Sequence, residues 1–383
     1  MRPALLPPVV MAHSWLITDL TKRDRLMTIV LSGNTRTQLE LYMQRQAQLS
    51  GVTVSNLTKR YSVDPSVQQR LENAAKESTE LTQKINVIGV DDQEGDKVLV
   101  DTTGPIARTN SSSDGVKRRN PASVHELAAR RYRCEQVNYD TFISYSQLDA
   151  WSAHPDFQAR VSQQIARQIA LDRIMIGFNG TSHALISDFA TNPLLQDVNT
   201  GWMEQIRKHA AARVMSDVTI STRDMDNKVT ARGQYGNPDA LVQDVRSSLL
   251  DEWHKDAPDL VVLMGRDLFN TLRLPLINAM STTNPNTELM AGQLIISSRF
   301  IGGLPVYLAP FFPKDAMLIT SFSNLSIYFQ KGSLRRLMKE EPEYNRIATY
   351  QSMNDAYVVE DYGKSALIQG IKFADAPAEG GGA

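Results

Sequence analysis

Apolar residues fall at helical spacing in four stretches of this chain. In Thr37–Leu49, Leu39, Tyr42, Met43 and Leu49 stand among glutamines and arginines, and Gly51 ends the pattern. A second stretch starts at Asp64, placed to cap a helix with Pro65 in its first turn, and carries Val67, Leu71, Ala74 and Leu81. The strongest runs from Asp156 to Phe178: Phe157, Val161, Ile165 and Ile169 repeat every four residues, Ile176 extends the stripe and Asn179-Gly180 stops it. At ~1.5 Å per residue this is a rod of about 35 Å. In the fourth, Asp239 caps a helix with Leu241, Val245, Leu249 and Trp253 on one face. A shorter helix opens where Ser146 and Asp149 resemble a capping box, and it must end before Pro155.

Strand patterns lie between and after these helices. Ile85–Val90 and Lys97–Asp101 flank Glu94-Gly95, which reads as turn chemistry and so as the start of a hairpin. The polar run Asn110–Gly115 follows, and alternation resumes only at Val137, Tyr139, Thr141 and Ile143, so the region reads as a long, projecting two-stranded loop. Leu260–Met264 is continuously apolar, as a buried strand is, and Gly265 turns it into a helix over Asp267–Leu274. Further strands are expected at Leu294–Ser297, Val306–Ala309, Met317–Thr320, Leu325–Phe329, Ala356–Glu360 and Ser365–Ile371. The sum is an α+β fold, with no repeat of 20 to 50 residues.

Composition narrows the function classes. A chain of 383 residues, 42% hydrophobic and 22% charged, has material for two domains. Its 41 Lys plus Arg against 42 Asp plus Glu give a net charge of -1, which removes the long-range attraction of a dedicated nucleic-acid binder. A single cysteine, Cys134, excludes an internal disulfide and a thiolate metal framework. The first apolar stretch, Ala4–Ala12, is broken by Pro7 and Pro8 and is too short to span a membrane. Met27 opens a more ordinary domain start than the 26 residues before it and is the expected true initiator.

Searches for chemistry end without a catalytic, cofactor or metal site. Gly363-Lys364-Ser365 lacks the upstream glycine of a phosphate loop, Val358 standing in its place. The turn at Gly265 has one glycine where a dinucleotide fingerprint needs three. Asp251-Glu252-Trp253-His254 lacks the paired histidines of a zinc helix and reads as a solvated helix end. The six histidines are scattered, and Glu340, Glu341 and Glu343 read as an exposed acidic face with Arg335 and Arg336 as its partners. Two basic groups, Lys117, Arg118 and Arg119, then Arg130, Arg131 and Arg133, lie in the projecting loop. They suit either a solvated loop or one that meets acidic surfaces of a neighbouring subunit.

Several stretches, in order and at consistent spacing, resemble the major capsid proteins of peduovirus-type tailed bacteriophages. They are YSVDPS (Tyr61–Ser66), FNG (Phe178–Gly180), NPLLQDV (Asn192–Val198) with Gly201-Trp202, ARVMS (Ala212–Ser216), PDLVVLMG (Pro258–Gly265), DAMLIT (Asp315–Thr320), NLSIY (Asn324–Tyr328) and YVVEDY (Tyr357–Tyr362). The likeness covers about Asn34 to Phe373 and implies the Hong Kong 97-type capsid fold. On that plan residues 1–61 are an N-terminal extension and removable assembly segment, 62–85 an N-terminal arm and 86–141 the extended loop. Residues 142–238 are a peripheral domain with its spine helix at 156–178, 239–330 the axial domain, 331–373 the return strands and 374–383 a disordered tail.

The resemblance further implies a homo-oligomeric shell of pentamers and hexamers, assembled in the host cytoplasm and enclosing double-stranded DNA without sequence specificity. A scaffold, a maturation protease and a portal protein are the implied partners, with no membrane. The protease would cut near Tyr61-Ser62. An encapsulin-like compartment shell and an α/β enzyme built on Leu260–Met264 are the competing readings.

Overall fold

The computed structural model describes residues 33–97, 131–151, 157–224, 228–272 and 299–374. The expected initiator at Met27, the loop tip, the strand Leu294–Ser297 and the tail lie outside the described residues.

The chain opens with α1 (Gly33–Ser50), α2 (Val54–Leu57), the two-residue strand β1 (Tyr61–Ser62) and α3 (Pro65–Glu77). Asp64 caps α3 as expected, accepting from the Ser66 amide at 2.8 Å. The stripe expected to reach Leu81 in the same helix is cut. Ser78 ends α3, and Leu81 belongs to α4 (Glu80–Lys84), where the Thr79 hydroxyl accepts from the Thr82 amide at 3.3 Å and starts a new turn.

Next come β2 (Asn86–Val90), β3 (Glu94–Asp96), β4 (Arg131–Arg133), β5 (Glu135–Asn138) and β6 (Thr141–Ser144). Glu94-Gly95 is strand and not turn, because β3 pairs antiparallel with β4, Glu94 opposite Arg133. Helix α5 (Tyr145–Trp151) does have a capping box, two residues earlier than expected. The Ser144 hydroxyl accepts from the Gln147 amide (3.3 Å) while the Gln147 side chain accepts from the Ser144 amide (3.2 Å).

The long rod is present as α6 (Phe157–Asn179), 23 residues, closed where the Gly180 amide reaches the Ile176 carbonyl at 2.7 Å. After α7 (Trp202–His209) come the short strands β7 (Val214–Ser216), β8 (Thr219–Ile220), β9 (Thr222–Arg223) and β10 (Val229–Ala231), then α8 (Pro238–Leu249). The α8 cap is Asn237, bonded to the Ala240 amide at 2.8 Å, and not Asp239. Asp239 instead accepts from the Gly302 amide at 2.7 Å. Trp253 is not on the α8 face: the helix ends at Leu249 and Trp253 sits 57% exposed in a following 3-10 turn.

Strand β11 (Val261–Met264) is wholly buried, and residues 266–272 are helical as expected. The remaining strands are β12 (Phe300–Ile301), β13 (Leu304–Leu308), β14 (Met317–Thr320), β15 (Leu325–Gln330), β16 (Arg335–Glu341), β17 (Arg346–Val359), β18 (Ala366–Gln369) and β19 (Lys372–Phe373). The alternation in β15 suggests one wet face, yet Leu325 to Phe329 are all buried. Leu325 and Ile327 join the central core, while Tyr328 packs on Tyr132 and Cys134.

Two main sheets result. Strand β17, 14 residues long, is the axis of a seven-stranded sheet ordered β1-β16-β17-β15-β2, with β5 and β6 also laid on β17. Strand β2 pairs in parallel with β15 and not with a local hairpin partner. The second sheet is six-stranded, ordered β12-β13-β11-β14-β18-β7. The segment 239–330 supplies four of those strands, while β7 and β18 enter from outside it and β15 leaves for the other sheet. Strand exchange thus displaces the edges read from the chain, because pairing follows buried faces and not sequence blocks.

The central core lies where α7 and the end of α6 meet both sheets. Trp202 is fully buried there, its ring edge-on to Phe178 and Tyr357, each at 5.4 Å, and its indole N–H donates to the Ser326 carbonyl at 2.9 Å. Val242, Val245 and Leu241 of α8 cover the other face of the six-stranded sheet.

Candidate assembly interfaces

Tyr61 and Ser62 form β1 at the edge of the seven-stranded sheet, opposite Arg336 and Arg335 of β16. The Tyr61 hydroxyl donates to Ser50 Oγ (3.2 Å), and the next residue, Val63, bonds the Leu334 carbonyl at 2.9 Å. The junction is therefore zipped to the sheet. Upstream of it, Leu39, Tyr42, Ala47 and Leu57 pack on Tyr145, Leu148, Val161 of α6, Met338 and Ile347. Gln46 accepts from the buried Arg336 at 3.3 Å. A short helical segment before the junction thus covers an apolar face of the sheet and of the rod.

Downstream, α3 is fixed more firmly. Gln68 donates to the Gln330 carbonyl (2.9 Å) and accepts from the Gly332 amide (2.7 Å), clasping the turn between β15 and β16. One turn later Glu72 meets Arg173 of α6. The Arg173 guanidinium bonds Glu72 at 2.5 and 3.1 Å and Asp355 of β17 at 2.9 and 3.0 Å, and Tyr139 donates to Asp355 at 3.1 Å.

All three charged groups are out of water. Burial alone would lower the Arg173 pKa, but the Asp355 and Glu72 carboxylates outweigh it and hold the group well above its ordinary value. Burial raises the Glu72 pKa, with the Asp355 charge adding to it. The cluster locks α3, the rod and the sheet together. Its signal in the sequence was position: Arg173 follows Val161, Ile165 and Ile169 at the same four-residue step, so a charge stands on an apolar stripe.

Of the loop cations, Arg131 lies on β4, its side chain 65% exposed and 3.8 and 3.9 Å from Glu94 and Asp96 of its own stem. Such exposed pairs are weak. Arg133 meets Glu135 at 3.0 Å. Lys117, Arg118, Arg119 and Arg130 lie outside the described residues. Tyr132, between the arginines, turns inward onto Tyr328 (5.0 Å). Cys134 is buried, and burial pushes its thiol up to about 12.

The motifs set aside in the sequence have structural employment. Lys364 pairs with Asp259 at 2.7 Å, and Ser365 bonds Asn324 at 2.9 Å. His254 meets Asp361 at 2.6 Å. Glu340 and Glu343 are exposed as expected, but Glu341 is buried and Arg336 bonds Gln351 and Gln46 instead of the acids. Glu341 is buried against Arg346 and Tyr350, each at 2.7 Å, and Glu340 accepts from Tyr145 at 2.8 Å. Among the described residues no group of three or more His, Cys, Asp or Glu side chains could hold a metal ion, and no helix is long and apolar enough to cross a membrane.

Residues 38–371 match the family described as phage major capsid protein, P2 family. The chain is 54% identical over 347 residues to the major capsid protein of Serratia phage KSP20, covering 91% of this chain and 99% of that one. It is 40% identical over 348 residues to the capsid proteins of Escherichia phage P2, covering 89% and 95%. Among solved structures it superposes with a TM-score of 0.71 and 38% identity on a chain of the satellite phage P4 procapsid including size determination (Sid) protein, over 90% of this chain and 99% of that one.

Proposed function

The chain belongs to the P2 family of phage major capsid proteins, a shell subunit of the tailed-phage head with the Hong Kong 97-type fold, and we propose how its parts serve that role. Copies assemble as pentamers and hexamers around packaged DNA, aided by a scaffold, a maturation protease and a portal at one vertex. Residues 62–85 act as the arm, the part of 86–141 that runs between β2 and β5 as the extended loop, α6 as the spine, and the two sheets as peripheral and axial domains. The chain has no catalytic or cofactor role of its own.

Each part has physical support. A 23-residue rod clamped by a buried ion cluster is a stiff strut. Arg131 and Arg133 on the paired stem of β3 and β4 are exposed, and this reading assigns the loop cations Lys117, Arg118, Arg119, Arg130 and Arg131 to acidic surfaces of neighbouring subunits. Many modest contacts, each burying about 1,200–2,000 Å2, become collectively stable in a closed shell. The near-neutral chain holds DNA without gripping each phosphate.

We assign the removable segment to the residues before Ser62, cut at Tyr61-Ser62. The single observation that carries the proposal is the co-linear match of almost the whole chain to a procapsid subunit at 38% identity. The encapsulin-like reading gives way to the phage capsid family on the same ground. Expression of the full chain with a phage scaffold and protease, read by electron microscopy and by N-terminal mass spectrometry of the shells, tests it. Closed shells whose subunits start at Ser62 are expected; shells that mature with Leu39–Arg60 intact would sink the cleavage assignment.

A further inference from the structure

Between α6 and α7 the chain makes a loop whose turn carries Leu185, Ile186 and Phe189 at 100%, 85% and 69% exposure. No other stretch of the described residues shows three large apolar side chains so close in sequence and so open to water. Nor is the turn slack. Asp197 accepts from the Asp188 amide at 2.7 Å, its carbonyl accepts from the Ala184 amide at 2.8 Å, and Asp188 in turn holds the Ala190 amide at 3.0 Å. His183 bonds the Val198 carbonyl at 2.7 Å. A braced apolar knuckle loses little conformational freedom on docking, and exposed apolar clusters of this kind mark contact sites.

The base of the same loop walls an open cleft of about 830 Å3, lined by Leu194, Tyr307, Pro310, Phe311 and Pro313. Asn179, at the end of the rod, donates to the Phe311 carbonyl at 2.8 Å. Phe311 is held in the left-handed conformation (φ 58°), which a bulky residue rarely adopts, and is 37% exposed. Arg266 and Lys314 on the rim outnumber Asp267, which lies 3.6 Å from Lys314. Glu80, also on the rim, is matched by Lys84 at 2.8 Å. With Lys84, whose ammonium lies 4.7 Å from the Tyr307 ring, the cleft is faced by three cations against Glu80 and Asp267, while the knuckle carries Asp188.

We propose that the 185–189 knuckle docks in the Phe311 cleft of a second copy of this chain. One loop carries the knuckle and walls the cleft, so each copy presents both side by side. A contact in which two copies exchange knuckles is isologous about a two-fold axis, and one in which each copy gives its knuckle to the next is a heterologous, ring-forming contact; a closed shell uses both kinds. The inference rests on the shell reading above.

The test uses the full chain under conditions in which the wild type forms shells. The triple variant Leu185→Ser, Ile186→Ser, Phe189→Ser should melt as the wild-type subunit does, because the three side chains are exposed, while shell yield by sedimentation falls at least about ten-fold. Equal parts of Leu185→Cys and Pro310→Cys chains, co-assembled and oxidised, should give disulfide-linked dimers; the native Cys134 is buried and does not compete. Wild-type yield from the triple variant overturns the proposal, and so does loss of shells without the disulfide. Wild-type chains that form no shell at all would bring down the shell reading and this inference with it.

Discussion

Arg173 of the rod and Glu72 of α3 meet in the interior of the subunit, with 3.1 Å between Nη2 and Oε1, both side chains only 3% exposed. A cation so placed cannot be removed without stranding two carboxylates. Arg173→Met should cost about 3–5 kcal/mol in denaturant unfolding of the isolated subunit. A loss under ~1 kcal/mol, the range of surface pairs, would mean the cluster is solvated.

The same pair fixes the sign of a pH effect. Glu72 has a raised pKa in the folded chain, so its contribution to stability is full below the ordinary value of 4.5 and is lost as pH rises through the folded pKa. The stability of the wild type relative to Glu72→Gln should therefore decline as pH climbs from about 4. Unfolding curves of both proteins across that range check it, and an advantage that grows with pH would refute the assignment.

Gly177 offers a case where two effects oppose. Alanine in a helix interior gains about 1 kcal/mol over glycine. Here, however, a Cβ would stand 2.2 Å from Trp202 Cζ3, and the fully buried Trp202 ring is held between Phe178 and Tyr357. Overpacking costs about 1–3 kcal/mol, so Gly177→Ala should lower the melting temperature, not raise it.

The segment before Ser62 should loosen alone. Leu57, within that segment, is wholly buried against the sheet and the rod, and Leu57→Ala should cost about 2–5 kcal/mol locally. Limited proteolysis with mass spectrometry should show faster cutting around Tyr61-Ser62, while the main melting transition moves little. Equal fall of both would make the segment part of the central core.

Cys134 should be inert. With its thiol held up at about 12 by burial, it carries almost no thiolate at neutral pH. Thiol reagents should label the chain only after denaturation, which a time course with and without urea would show.

Local signals in the sequence were read well where a neighbour three or four residues away decides the structure. The rod, the Asp64 cap and the strand Met317–Thr320 emerged at their true places. Caps slipped by two residues, Asn237 for Asp239 and Ser144 for Ser146, and the larger differences arose where distant partners decide. Glu94-Gly95 has turn chemistry, but β4 recruits it into a ladder; Arg336 sits in an acidic neighbourhood, but Gln46 and Gln351 reach it first. The alternation of β15 hides a second cover supplied by Tyr132 and Cys134. Of the interface residues, Arg173 left a trace on its stripe, whereas the knuckle at Leu185 is legible only once its exposure is known.

Strand β18, near the end of the chain, sits between β14 and β7. A ribosome must therefore deliver residue 369 before the smaller sheet can close, and an incomplete nascent chain lacks the seam that joins its two halves. A chain cut short of residue 366 therefore leaves β7 with no neighbour in that sheet.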